Sequence, residues 1–333
     1  MRIFTALVVG WLSSVCFVQT ATGAGAESSP QTATQWLERM GPALNMTSYR
    51  GVLVYARGDQ VHSMQIAHRF RNGRVEERLV LQDGGGGEIV RKGMEVVCVL
   101  PERGRIRLDE VIPSGPFAET FASQWMPISE WYQPKLIGEG RVAGYEVVEL
   151  ALRARDEHRY SHRLWLEKDT GLLVKSQVRE QDQVLEHFQF TSLEITDDIP
   201  DSAFQLQSEG VEVVRTLNAD QGQQPEVSRL GGWALGWRPG GFVPAAAPQS
   251  NNDKAVAFSD GLATFSVFVE PLDKVKMPTG VSRIGATTIY LREARFGEHV
   301  FQVVVVGEIP PRTARRVADG VDINAGLALE AGK

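Results

Sequence analysis

Cysteine is almost missing from this sequence: there are two in 333 residues, Cys16 and Cys98. Cys16 falls in the leader described below, so the rest of the chain carries a single thiol and forms no intramolecular disulfide. Cys98 sits in VVCVL, among apolar neighbours that fit a buried small hydrophobe better than a nucleophile, which needs a nearby base and some exposure. Positive charge is also short, with 35 Lys and Arg against 41 Asp and Glu for a net charge of −6. That balance argues against nucleic acid as a partner and against simple electrostatic docking on an anionic bilayer.

Metal and catalytic patterns are equally thin. His158 and His162 are the best apparent ligand pair, but their surroundings alternate as a strand. Residues four apart on a strand are separated by roughly 13 Å, too far to share one ion, and His62 and His68 fail in the same way. Four glycines at 84–87 are followed by Glu88-Ile89-Val90-Arg91 rather than by a helix with a Lys-Ser/Thr pair, so they read as a hairpin tip and not a phosphate loop. The GEGRVAG stretch at 138–144 has the wrong last spacing for a dinucleotide fingerprint. No Ser-His-Asp set or isolated carboxylate pair stands out. No enzyme activity, cofactor or metal is expected.

Long hydrophobic runs are absent after the first residues. Arg2, an apolar run over 3–18 and a small-residue stretch ending Ala24-Gly25-Ala26 read as an export signal over 1–26, with Glu27 first in the mature chain. Val15 stands where a lipoprotein signal would place a small residue before Cys16. Removing the leader takes only Arg2 from the charged residues and leaves 307 residues with net charge −7. A soluble, exported chain of that size holds one large domain or two ordinary ones.

What the sequence does have is short β segments. In 60–70 (QVHSMQIAHRF), Met64, Ile66 and Phe70 fall at even spacing while Ser63, Gln65 and Arg69 alternate with them. Runs at 49–57, 73–81, 94–100 and 105–108 are joined by connections too short for a crossover helix, which predicts a meandering antiparallel sheet. A sheet of this size curls into an open or closed barrel whose apolar face is covered by helix or filled by ligand. Trp36, Leu37, Met40 and Leu44 predict a helix laid on that sheet, with Pro42 kinking or ending it. A second stripe, Phe117, Phe121 and Trp125 with Met126, predicts a helix that plugs the core or lines a ligand cavity, which the family resemblance given below would make a lipid pocket. The hairpins resume over 135–195, with Gly171 suited to the left-handed position of a bulged turn.

The composition then shifts, and 211–230 reads as a linker. The segment 232–242 packs Trp233, Trp237, Arg238 and Phe242 among glycines, residue types that anchor a partner or a domain junction. Further strands and a final helix behind Pro310-Pro311 complete a smaller α+β domain over 231–325, after a first domain over 27–210.

Several stretches resemble the MucB/RseB family of periplasmic regulators: WLERM at 36–40, KDTGL at 168–172, WRPGGF at 237–242, FSDGLATFSVFVEP at 258–271, and VVGEIP at 305–310 with Thr313-Ala314. The resemblance implies a mainly β, α+β fold: an open antiparallel half-barrel covered by helices, similar to the lipoprotein carriers LolA and LolB, plus the smaller domain. It further implies a periplasmic negative regulator that binds the periplasmic part of a MucA- or RseA-type anti-sigma factor. Binding would shield that factor from site-1 proteolysis, and lipid or lipopolysaccharide would trigger release. The alternative is a periplasmic lipid or lipoprotein carrier. The oligomeric state, a homodimer included, stays open.

Overall fold

The computed structural model describes residues 31–83, 87–93, 95–100, 128–207, 211–216, 233–244, 255–272 and 278–323. The export leader, the segment 105–108 and the stripe of Phe117, Phe121, Trp125 and Met126 lie outside the described residues. Residues 32–323 fall within a single compact unit.

Helix α1 (Ala33–Met46) begins at a capping box, in which the Thr32 hydroxyl accepts from Gln35 N–H while the Gln35 side chain accepts from Thr32 N–H. It runs past Pro42 rather than stopping there, because Ala43 and Leu44 beyond the proline are buried on the sheet and hold the last turn. Trp36, Leu37, Met40 and Leu44 form the apolar stripe expected of it.

The sheet beneath has eleven strands: β1 (Tyr49–Arg57), β2 (Gln60–Arg71), β3 (Arg74–Leu81), β4 (Glu88–Lys92), β5 (Glu95–Leu100), β6 (Tyr132–Val142), β7 (Tyr145–Ala154), β8 (Ser161–Glu167), β9 (Leu173–Glu180), β10 (Gln183–Ile195) and β11 (Val211–Thr216). A short helix, α2 (Ile128–Trp131), leads into β6. The order is β11-β5-β4-β3-β2-β1-β10-β9-β8-β7-β6, two meanders joined where β1 pairs with β10. This is the large open antiparallel sheet that the alternation predicts. Two strands were not foreseen. β4 occupies the gap after the glycine run, and β11 lies in the segment read as linker, where VEVVRT pairs with the free edge of β5. Its β-branched residues suit an extended chain, and the unpaired β5 edge supplies the hydrogen bonds.

Two of the resembling stretches meet here. The Arg39 guanidinium of α1 donates to the carbonyls of Lys168 (3.2 Å) and Asp169 (2.6 Å). Gly171, at φ +84°, brings its turn so close that a Cβ would stand 3.0 Å from that of Arg39. The bulged turn and its glycine therefore dock the covering helix.

The smaller sheet has the order β13-β14-β15-β18-β17-β16, from β13 (Val243–Pro244), β14 (Ala255–Ser259), β15 (Thr264–Pro271), β16 (Gly280–Ile284), β17 (Thr287–Phe296) and β18 (His299–Gly307). Helix α3 (Pro311–Asp319) packs Ala314, Val317 and Ala318 on it and turns Arg312, Arg315 and Arg316 to solvent. β12 (Trp233–Leu235) and β19 (Val321–Ile323) form a separate ribbon.

Candidate functional site

The two sheets meet through buried polar groups at two clamps. Arg159 lies just ahead of β8, with its side chain fully out of solvent. Its guanidinium donates to Asp260 Oδ2 (2.6 Å), to both oxygens of Asp156 (3.1 Å each) and to the Gly240 carbonyl (2.5 Å). Three rings enclose it, with centroids 5.0 Å (Trp131), 5.1 Å (Phe242) and 5.6 Å (Tyr132) from its central carbon. Asp260, in the turn between β14 and β15, also accepts from the Tyr132 hydroxyl (2.9 Å), from Leu262 N–H (3.0 Å) and from Ala263 N–H (2.8 Å). Burial pushes its carboxyl up from the ordinary value, and the amides and Arg159 work the other way. The bonds from Arg159 to Asp260 and Gly240 and from Tyr132 to Asp260 join the large sheet to the small.

Glycine makes the close approach possible. At Gly241, φ is +83° and a Cβ would lie 2.3 Å from the Trp131 indole nitrogen; at Gly240 it would lie 2.5 Å from the same ring. The indole at the end of α2 therefore rests on bare backbone. Leu262, two residues after Asp260, packs into the core of the large sheet.

The second clamp holds the β16–β17 turn. Glu186 of β10 accepts from the Tyr55 hydroxyl (2.6 Å) and from Ala286 N–H (2.9 Å), with Arg57 at 3.5 Å. Arg57 donates to the Ile284 carbonyl (3.2 Å), and Arg283 pairs with Glu180 (2.7 Å). Buried Glu308 has one carboxyl oxygen without a hydrogen-bond partner. Burial, and after it the charge of Glu186, push the Glu308 carboxyl well above the ordinary carboxylate range, which favours its neutral acid.

The residues singled out for a partner or junction separate into two kinds. Trp233 and Phe242 are 1% and 0% exposed in the core of the small sheet, and the Phe242 ring also faces the Arg159 guanidinium at the junction. Trp237 packs edge-on to His158 (5.1 Å) with Arg316 over its face (4.0 Å), and the Arg238 Nε donates to the Phe242 carbonyl (2.7 Å). Trp237 thus bridges to the loop before β8, while Arg238 ties the WRPGGF turn to itself. Arg159, Asp260, Glu186 and Glu308 were missed. Asp260 and Glu308 stand as single charges in largely apolar sequence, whereas Arg159 ends the charged run RDEHR and had no such signal. The junction fixes geometry: apart from one oxygen of Glu308, the polar side chains named in the two clamps are held by one another or by backbone.

The chain was compared with known proteins. The family model for the MucB/RseB N-terminal domain matches residues 32–208, and the model for the MucB/RseB C-terminal domain matches residues 228–322. The chain belongs to the MucB/RseB family. Its relatives include the sigma factor AlgU regulatory protein MucB of Pseudomonas aeruginosa, 34% identical over 303 residues that span 86% of this chain and 89% of that protein. The sigma-E factor regulatory protein RseB of Escherichia coli K12 is 24% identical over 312 residues, 91% of this chain and 94% of its own length. Among solved structures, MucB in its complex with MucA from Pseudomonas aeruginosa superposes with a TM-score of 0.68 at 31% identity, covering 88% of this chain and 99% of that one. The MucB/RseB stretch WRPGGF and the FSDGLA turn are the parts of this chain that carry the first clamp. Among the described residues no helix is long and apolar enough to cross a membrane, and no group of His, Cys, Asp or Glu is placed to hold a metal ion.

Proposed function

We propose that this protein is a periplasmic negative regulator of an envelope-stress sigma factor, acting by holding the periplasmic part of a MucA- or RseA-type anti-sigma factor. The observation that carries the reading is the match to MucB along both sheets, in a family whose Pseudomonas member has been solved together with MucA. Holding that segment shields it from site-1 proteolysis, and lipid or lipopolysaccharide releases it. Leu79 and Leu81 of β3 pack against the core of the large sheet while only partly buried, an apolar margin that a lipid tail would extend. Residues 27–210 and 231–325 act as the two domains, with Val211–Thr216 assigned to the first because it completes that sheet. Lipid at one site and peptide at another give a reciprocal coupling, each lowering the other's affinity.

The test is a titration of a labelled periplasmic peptide from the anti-sigma factor with and without lipid, run beside a site-1 cleavage assay. Tight peptide binding, protection from cleavage and weaker binding when lipid is present are expected. Absence of peptide binding defeats the regulatory reading. Peptide binding that lipid leaves unchanged defeats only the sensing half.

A further inference from the structure

The second clamp sets two buried carboxyls against one cation. β17 and β18 pair as far as Thr288 opposite Gly307, so one rung further Thr287 and Glu308 stand across from each other. Side chains alternate along a strand, which puts both on the face opposite to Tyr290 and Val305. Glu186 of the large sheet reaches the same place, since its carboxylate accepts from Ala286 N–H, one residue before Thr287 (2.9 Å). Glu186 and Glu308 are each 3% exposed. One oxygen of Glu308 and the Thr287 hydroxyl have no hydrogen-bond partner.

The groups around this gap do not neutralise it. From β1, Arg57 lies 3.5 Å from Glu186 but gives its Nε to the Ile284 carbonyl, and Tyr55 donates to Glu186 (2.6 Å). Burial, and after it the charge of Glu186, raise the Tyr55 hydroxyl well above its ordinary value, so it stays a donor. His62 of β2 stands across from Tyr55. From the β14–β15 turn, Asp260 adds negative charge that Arg159 already holds (2.6 Å). Arg283 and Glu180 satisfy each other at the partly exposed rim (2.7 Å). Two carboxylates facing each other out of water with one cation between them are unfavourable, and a proton on one of them removes the conflict. Burial raises both carboxyls, in keeping with that arrangement.

We propose that Glu186 and Glu308 hold one proton between them and form a pH-sensitive latch that joins the small sheet to the large one. With the proton in place the gap carries one carboxylate against Arg57, and the β16–β17 turn stays docked. Base takes the proton to solvent and leaves two facing carboxylates, which push the turn away from β1 and β10. The folded chain keeps this proton where the unfolded chain has released it. The latch therefore contributes fully below the ordinary carboxylate value of 4.5 and fades as pH rises through the raised value of the folded state. The buried His162 takes up its proton only near pH 4 against an ordinary 6.5, so its effect falls below the neutral-to-basic range in which the latch opens.

Hydrogen exchange of the full chain, read by mass spectrometry on peptides spanning Ile284 to Thr287, tests the latch. Comparing the unaltered protein with Glu308→Gln at one pH at a time cancels the intrinsic pH dependence of exchange. At pH 6 the two should agree within about twofold, and at pH 9 the turn of the unaltered protein should exchange about tenfold faster or more. E186Q neutralises the other member of the pair and should also remove most of the increase at pH 9. E180Q, which breaks only the rim pair with Arg283, should alter exchange by the same factor at both pH values. Ratios to the unaltered protein that are equal at pH 6 and pH 9 for both E308Q and E186Q overturn the proposal. So does an increase at pH 9 that E180Q abolishes just as well.

Discussion

Arginine plays opposite parts at two places in this molecule. Around Arg159 the charge is withdrawn from water, enclosed by three rings and matched to Asp260 and Asp156. Around Arg74 the charge is exposed, faced by a second arginine and left without a carboxylate. The first arrangement ties two surfaces together, each guanidinium nitrogen of Arg159 donating to a carboxylate or carbonyl. The second makes no ion pair through Arg74 among the described residues. A buried ion pair fixes one relative placement of two surfaces, because any other placement strands a charge in apolar surroundings.

The largest effect is expected where that placement is broken. Arg159→Ala leaves Asp260 buried without its cation and should destabilise the protein by about 3–5 kcal/mol, measured by chemical denaturation. The double variant R159A/D260N removes the stranded charge and should recover part of the loss. Equal stability of the single variant and the unaltered protein would mean that the junction opens in solution.

A second effect separates the interior from the surface by pH. His162 of β8 is buried against the edge of Tyr132 (5.6 Å), its Nε2 lacks a hydrogen-bond partner, and burial lowers its pKa from 6.5 to about 4. The unfolded chain binds this proton below pH 6.5 and the folded chain does so only near pH 4, so stability is full above 6.5 and is lost as pH falls through that window. The loss is on the order of 3 kcal/mol. Raised carboxyls at Glu186 and Glu308 act with the opposite sign, their folded forms gaining stability as pH falls. Comparing the slope of stability on pH with that of His162→Leu isolates the histidine, and the variant should show the flatter fall between pH 7 and 4.5. Identical slopes would place His162 in contact with solvent.

Why the hairpins were legible in the sequence and the Arg159 cluster was not follows from distance along the chain. Hairpins are local: the alternation of Met64, Ile66 and Phe70 announces β2, and the KDTG turn announces the β8–β9 hairpin with Gly171 in the left-handed region. Short strands carry too few residues for a period to show, and β4 and β11 went unseen for that reason. The Arg159–Asp260 pair joins residues 101 apart, and no local pattern encodes such a contact. Its trace was indirect, in the glycines of WRPGGF, which signal that something presses on the backbone but not that it is Trp131. Of the residues beside those glycines, Trp237 lies at the junction and Phe242 faces Arg159 there from within the small-sheet core, while Trp233 went wholly to the core because aromatic side chains serve an interior as readily as an interface.

The smallest effect on stability is expected at the β2–β3 and β4–β5 turns. Arg74 and Lys92 are exposed and have no ion-pair partner among the described residues, so R74E/K92E should shift stability by no more than about 0.5 kcal/mol in either direction. Relief of the Arg71–Arg74 repulsion favours the variant, and new repulsion between Glu at position 92 and the facing Glu76 and Glu95 opposes it. A denaturation midpoint and slope unchanged from the unaltered protein would show that these charges contribute nothing to the fold, whereas a loss comparable to that of Arg159→Ala would erase the distinction between the two clusters and make these turns another part of the scaffold.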